Sequence, residues 1–292
     1  MRGILYLILI LTAGCAAKTV QVDRLLRTPL PISEQQEIVG VPFIEQSAGH
    51  CGPATLAMTM AWAGQPTDIN VLVSQVYTPG MQGSLQTDML TASRRNGMMA
   101  IPIQGFSSLL TEVSAGNPVI VFENLAVSWL PQWHYAVVFG YDLPKEIVLM
   151  HSGPEAFKKW DLRKFERSWQ LGDYWGLLVL PPGKLSATAS ELDHLKAASA
   201  LEQVGKNQAA GISYQAILTR WPQSLGALIG SANVSYAAKD YAKSVESLLL
   251  ATKYHPESAA AWNNLSVAQL ALGQKKNSEA SAEISKKLSS AH

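Results

Sequence analysis

The sequence predicts a mixed α+β domain followed by an all-helical region, on three observations. Pro53 and a run of good helix formers after it predict a helix beginning at about Gly52. After Pro181-Pro182-Gly183, alanine, leucine and lysine dominate and no strand pattern remains. Apolar stretches with the pattern of buried strands lie at 119–122, 134–141, 147–150 and 175–180.

Composition and charge limit the class of protein. At about 150 residues per domain, 292 residues suggest two domains, and 48% hydrophobic with 15% charged residues is typical of a folded chain. Lys and Arg number 23 and Asp and Glu 22, for a net charge of +1. Because no strong positive field exists to hold a polyanion, nucleic acid is not expected as a partner.

The N-terminus has the pattern of an export signal. One arginine is followed by the apolar run Ile4–Leu11 and then by small residues before Cys15. The run is too short to span a bilayer, which needs about 20 apolar residues. Ala13-Gly14-Cys15 resembles a bacterial lipoprotein signal, which implies a lipid anchor on Cys15, and Ala16 favours the outer membrane facing the periplasm. The alternative is an ordinary cleaved signal with an incidental cysteine.

Cys51 is the only thiol left in the mature chain if Cys15 is acylated. Placed at the N-cap of the predicted helix, it would have its pKa lowered by the helix dipole and the free N–H groups. Gly49 and Gly52 would leave room for a substrate backbone. Cys51 is therefore a candidate nucleophile, and the alternative is a small buried hydrophobe.

A thiol nucleophile needs a general base, and histidine serves near neutral pH. Of six histidines, His134 stands where a loop enters an apolar strand, so the scaffold would hold it within reach of a substrate. His151, at the end of the following strand, is the alternative base or a structural residue. No metal or organic cofactor is expected, because ligand types do not cluster at usable spacing.

These motifs resemble those of the papain-like cysteine peptidases, and more closely the bacterial family that trims double-glycine leaders from exported peptides. The resemblance rests on Gln46, on Cys51-Gly52-Pro53-Ala54 and on the segment 134–142, and it covers about 41–180. It implies a papain-like cysteine peptidase fold with Cys51 as nucleophile and His134 as general base. Gln46 would share the oxyanion hole with the backbone N–H of Cys51. The alternative for Gln46 is a solvated loop residue.

The third member of that family's triad is an aspartate, and this chain departs from the pattern. The corresponding place reads His151-Ser152-Gly153, which makes Ser152 the nearest candidate to orient His134. Asn124 is the competitor. Asp142 is excluded, since eight residues of extended strand put it about 26 Å from His134.

Two further segments lie near the motifs. The turn-rich loop 78–86 either shapes a substrate groove or is a surface connection. Trp129 and Trp133 either line the groove or pack in the core.

The C-terminal third contains a repeat. Trp221-Pro222 and His255-Pro256 are 34 residues apart, which is the length of the tetratricopeptide helix pair. Stacked pairs form a concave face that commonly holds a peptide or partner protein. The alternatives are an array that braces the catalytic domain and a lone helical bundle.

The predicted organisation is a lipoprotein signal peptide at 1–15, a tether at 16–37, a papain-like cysteine peptidase domain at 38–185, a linker at 186–192 and tetratricopeptide repeats at 193–291. We expect an envelope-anchored cysteine peptidase acting on a peptide or protein substrate. Two alternatives remain: a catalytically weak binding scaffold, and an amidase or acyltransferase using the same thioester.

Overall fold

The computed structural model describes residues 18–46 and 49–290. These residues form a sheet-containing domain followed by a region that contains only helices. The strands are β1 Gln35–Glu37, β2 Tyr77–Thr78, β3 Gly83–Ser84, β4 Met99–Gln104, β5 Val119–Asn124, β6 Trp133–Asp142, β7 Ile147–Ser152, β8 Glu155–Asp161 and β9 Trp175–Leu180. The helices are α1 Val20–Arg27, α2 Cys51–Trp62, α3 Ile69–Val76, α4 Gln86–Arg95, α5 Gly105–Ser114, α6 Leu162–Trp169, α7 Glu191–Gln203, α8 Asn207–Arg220, α9 Leu225–Ala237, α10 Tyr241–Tyr254, α11 Ala259–Ala271 and α12 Lys275–Ser289.

In the described part of the chain the main sheet has seven strands, in the order β4-β9-β5-β6-β7-β8 with β1 beside the far end of β6. Each of its strand pairs is antiparallel. Strand β6 is buried over its last eight residues, which explains its nearly continuous apolar sequence. The predicted α+β class is confirmed for this domain.

Helix α2 packs on β5, β6 and β9 and is buried from Gly52 to Met60. A helix this enclosed is apolar all round rather than amphipathic, as its sequence shows. The helix begins at Cys51 and His50 is its N-cap. Cys51 is thus the first helical residue and not the N-cap that the sequence suggested.

The segment predicted as a free tether at 16–37 is folded from Thr19 onward, so that prediction was wrong. Helix α1 buries Val22 and Leu25 against the domain, and β1 adds a strand beside β6. The Glu166 carboxylate accepts the N–H groups of Gln21 and Val22 at 2.8 and 2.9 Å. An eight-residue helix shows too little periodicity to be recognised, and its stability comes from these contacts. Cys15 lies outside the described residues.

The helical region repeats at a fixed interval. Helices α7, α9 and α11 begin at Glu191, Leu225 and Ala259, each 34 residues after the last. Each is capped by the serine just before it, Ser190, Ser224 and Ser258, whose hydroxyl accepts the N–H of the third helical residue. The helical nature of this region is confirmed. None of the helices within the described ranges is long and apolar enough to cross a bilayer.

The predicted linker at 186–192 is held against the sheet domain. The Glu112 carboxylate, buried in α5, accepts hydrogen bonds from the Ser186 hydroxyl at 2.5 Å and from the Thr188 backbone N–H at 2.7 Å. Arg220 donates to the carbonyl of Ser186 at 2.8 Å. These contacts join the helices to the sheet domain through charged hydrogen bonds.

Candidate active site

A cavity of about 890 Å³ opens where the first turn of α2 meets the start of β6. Its walls come from the β2–β3 connection, the loop before β6 and the turn after β7. The four side chains that the sequence singled out for the reaction line it: Gln46, Cys51, His134 and Ser152. The fold therefore brings together side chains that are up to 106 positions apart in the chain.

Cys51 lies partly buried at the tip of α2. Burial raises the pKa of its thiol above the ordinary value, because a thiolate would lose its hydration. Hydrogen bonds from the backbone N–H groups of Tyr135, Gly52 and Cys51 itself oppose this shift but do not cancel it. The N–H groups at the helix terminus lower this pKa as expected, but the net pKa is raised because desolvation outweighs the backbone donors.

His134 is held through Ser152. In the β6–β7 hairpin Ala136 pairs with Ser152, so Ser152 lies diagonal to His134 on the same face of the sheet. The Ser152 Oγ lies 3.2 Å from Nε2 of His134, which leaves Nδ1 as the ring atom for proton exchange. Burial, with a smaller effect from the charge of Lys158, lowers the pKa of His134 to about 4. The ring is therefore neutral at physiological pH.

The alternatives to His134 and Ser152 have other tasks. Asn124 accepts the N–H groups of Ala126 and Gln132 and donates to a carbonyl three residues on, which holds the loop before β6. His151 is buried, donates from Nε2 to the Val41 carbonyl at 3.1 Å and accepts the Phe157 N–H on Nδ1. Both ring nitrogens of His151 are thus engaged in packing the domain.

Gln46 brings an unused donor to the cavity. Its Nε2 and Oε1 are both buried, and neither has a hydrogen-bond partner within the described part of the chain. An unpaired buried amide is costly unless a ligand satisfies it.

The two glycines near Cys51 differ in position. Gly49 lines the cavity as expected, but Gly52 does not: a Cβ there would lie 2.5 Å from the Ser84 hydroxyl, so Gly52 permits close packing of α2.

The cavity rim contains apolar side chains. Met81 and Leu85 of the 78–86 loop line one side. Trp133 lines the other and stacks on Phe122, with ring centroids 5.0 Å apart. Trp129 is 81% exposed and is neither in the cavity nor in the core.

Within residues 18–46 and 49–290, no cluster of three or more His, Cys, Asp or Glu side chains is placed to hold a metal.

Glu123 was not recognised from the sequence. It is fully buried in β5, accepts the Ser168 hydroxyl on Oε2 at 2.7 Å and has no partner for Oε1 in the described ranges. In the β5–β6 register it stands opposite His134. Burial raises its pKa to about 7. A single carboxylate following the apolar stretch Val119–Phe122 was the available signal.

Residues 38–174 match the model of the Peptidase_C39 like family. This segment is therefore similar to the Peptidase_C39 like family. The predicted peptidase resemblance is thereby confirmed at the level of the domain family. None of the curated protein sequences matches the chain.

Solved structures similar to this part of the chain include three proteins. A protein from Bacillus anthracis described as a C39-like peptidase is 20% identical, covering 53% of this chain and 100% of its own, with a TM-score of 0.43. The peptidase domain of Streptococcus ComA, a bifunctional ABC transporter of a quorum-sensing pathway, is 20% identical over 49% and 99%, with a TM-score of 0.41. A double-glycine-motif protease from an AMS/PCAT transporter, solved with its leader peptide, is 22% identical over 49% and 96%, with a TM-score of 0.37.

Proposed function

We propose that this protein is a cysteine peptidase that cleaves peptide bonds in a peptide or protein substrate through Cys51 and His134. One observation carries the proposal: a nucleophile, a neutral imidazole, its hydroxyl partner and an unpaired buried amide line a single cavity of the C39-like domain. A packing role for Cys51 would not require the other three.

In the proposed reaction the Cys51 sulfur attacks the substrate carbonyl while Nδ1 of His134 takes the thiol proton. The oxyanion that forms accepts hydrogen bonds from Gln46 Nε2 and the backbone N–H of Cys51. Collapse of this intermediate breaks the C–N bond, and His134 returns the proton to the leaving amine. Water, deprotonated by His134, then hydrolyses the thioester and releases the acid.

The protonation states favour proton transfer during attack. The raised pKa of Cys51 and the lowered pKa of His134 make a neutral thiol and a neutral imidazole the resting pair. His134 then acts as a general base in the step itself, and no thiolate–imidazolium pair is stored beforehand.

We also propose that the protein is attached to the bacterial envelope by a lipid on Cys15, facing the periplasm from the outer membrane. The sequence Ala13-Gly14-Cys15 supports this placement.

We also propose that residues 193–291 are tetratricopeptide repeats that recruit a peptide or protein partner. The 34-residue interval supports the repeats, as does the approach of Gly230 to Tyr214, where a Cβ would lie 2.2 Å from the ring.

A binding protein without turnover is the second candidate. The observation that favours it is the hydroxyl partner of His134, since a neutral Ser152 stabilises an imidazolium less than a carboxylate does. An amidase or acyltransferase would use the same thioester and differ in its acceptor or substrate.

Labelling of the full chain with iodoacetamide, followed by peptide mapping, tests the nucleophile. We expect labelling of Cys51 to depend on the imidazole, so that His134→Ala is labelled more slowly than wild type. His255→Ala, in the helical region, is the matched control and should label like wild type. If His134→Ala is labelled at the wild-type rate, the binding protein replaces the peptidase.

Turnover and anchoring are separate measurements. Cleavage of a peptide library, with Cys51→Ala as the inactive control, tests peptidase activity, and capture of the acyl group by hydroxylamine as a hydroxamate tests for the thioester intermediate. Cys15→Ser should release the protein from membranes on fractionation, and unchanged membrane association would exclude the lipid anchor.

A further inference from the structure

Glu123 is the neighbour of His134 across the β5–β6 pair. The two residues are register partners, so their side chains leave the sheet on the same face with Cβ atoms about 5 Å apart. Ser152, on the other side of β6, takes Nε2 of the ring. His134 is thus flanked by a hydroxyl from β7 and a carboxyl from β5.

The setting of Glu123 is unusual for a purely structural carboxyl. It is fully buried, and only one of its oxygens is satisfied, by the Ser168 hydroxyl of α6. Oε1 has no hydrogen-bond partner in the part of the chain that the structure describes. A carboxyl buried in this way destabilises the fold when it ionises, and apolar residues of similar size would pack at lower cost.

We propose that Glu123 is a positioning residue that supplies, through the field at His134, the negative charge missing from Ser152. When His134 takes the Cys51 proton, the Glu123 carboxylate across the strand pair stabilises the imidazolium in a site from which water is largely excluded. This inference rests on the proposed Cys51–His134 chemistry. In this proposal two residues share the role of a triad aspartate. Glu123 of β5 supplies the negative charge, and Ser152 supplies the hydrogen bond to the ring.

The charged groups around Glu123 and His134 determine the pH range in which Glu123 can stabilise the imidazolium. Lys158 of β8 acts on both Glu123 and His134, and its own charge is paired with Glu155 at 2.9 Å. Helix α6 faces Glu123 with the neutral Ser168. With a pKa of about 7, Glu123 becomes charged over the pH range in which a neutral His134 is already available. Reactivity that depends on His134 should therefore rise through about pH 7.

Two variants separate charge from packing. Glu123→Gln keeps the size and the acceptor for Ser168 but cannot ionise. Ser168→Ala removes the hydrogen bond, keeps the carboxyl, and should raise the pKa of Glu123, since that bond favours its ionised form. The measurement is the rate of iodoacetamide labelling of Cys51 in the full chain from pH 5 to 9. His134→Ala defines the part of that rate that depends on the imidazole.

We expect Glu123→Gln to lose about tenfold of the His134-dependent rate at pH 8, as for one unit of pKa, together with the rise near pH 7. Ser168→Ala should keep the rise and move it to higher pH. If Glu123→Gln keeps the wild-type profile, or if Ser168→Ala matches Glu123→Gln at all pH values, the proposal is wrong and Glu123 only packs α6. Should Glu123→Gln not fold, an unshifted Ser168→Ala profile still overturns it.

The outcomes distinguish this inference from the proposed function. Loss of rate in His134→Ala with no effect of Glu123→Gln leaves the peptidase chemistry standing and removes only the role of Glu123. A His134→Ala variant that is labelled at the wild-type rate removes the chemistry itself.

Discussion

Ser152 Oγ lies 3.2 Å from Nε2 of His134, so the partner of this ring nitrogen is a hydroxyl and not a carboxylate. The β6–β7 hairpin fixes this contact through the pairing of Ala136 with Ser152. A hydroxyl can hold the ring in place but carries no charge. Orientation and charge stabilisation of His134 are therefore separable in this protein by mutation.

Ser152→Ala should lower the kcat of peptide cleavage roughly fivefold with little change in KM, as expected for loss of one hydrogen bond that positions the base. Ser152→Asp should raise the pKa of His134 and recover or exceed the wild-type kcat. Ser107→Ala, an exposed change on α5, is the control. Unchanged kinetics for Ser152→Ala would show that the contact does not orient the ring.

The labelling rate of Cys51 should keep rising above pH 9 and not level off near neutrality. Its thiol pKa is raised by burial, so the thiolate fraction still grows in that range. Below about pH 4 the protonated His134 can no longer accept a proton, and its contribution disappears. A plateau reached by pH 7 would instead indicate a stored thiolate–imidazolium pair.

Gln46→Ala should lower kcat by about 10²–10³, because the buried Nε2 would no longer meet the oxyanion. Gln86→Ala is a matched control that removes a second amide lining the cavity. Equal effects of the two substitutions on kcat would assign Gln46 to substrate binding or packing, and not to the transition state.

Glu123→Gln should raise the free energy of unfolding at pH 8. Burial raises the folded-state pKa of Glu123 from 4.5 to about 7, so the wild-type fold loses stability as the pH rises through that window. The loss approaches about 3 kcal/mol at most above pH 7, and glutamine avoids it. The lowered pKa of His134 has the opposite effect, because it makes the fold more stable as the pH rises. His134 is present in both proteins, so it does not change the difference between them.

Urea unfolding at pH 8 and pH 4 measures the difference. The variant should exceed wild type at pH 8, and the two proteins should converge at pH 4. A variant that is less stable than wild type at both pH values contradicts a buried ionised carboxylate.

Gly230→Ala should destabilise the helical region by about 1–3 kcal/mol, because a Cβ there would lie 2.2 Å from the Tyr214 ring. Thermal unfolding checks this. Gly80→Ala is the matched control, since a Cβ at Gly80 meets nothing within 4 Å and its φ is not positive. Equal melting temperatures for Gly230→Ala and Gly80→Ala would mean that the helices separate there without cost.

The local sequence was sufficient where structure is set by neighbours in the chain. The apolar stretches at 147–150 and 175–180 form strands β7 and β9, as their patterns predicted. Helix α1 escaped prediction, because Glu166, 144 positions away from Val22, caps its first N–H groups. Such a partner leaves no trace in the pattern of the segment itself.

By itself the sequence determined the α+β and helical classes, the 34-residue interval and the residue types available for chemistry, because periodicity, turn residues and motif spacing are local properties. Only the tertiary structure decided that Ser152 and not Asn124 reaches His134, that Glu123 stands opposite it, and that the Cys51 thiol has a raised pKa. The reason is physical: strand register sets which side chains meet, and desolvation depends on everything packed around a group.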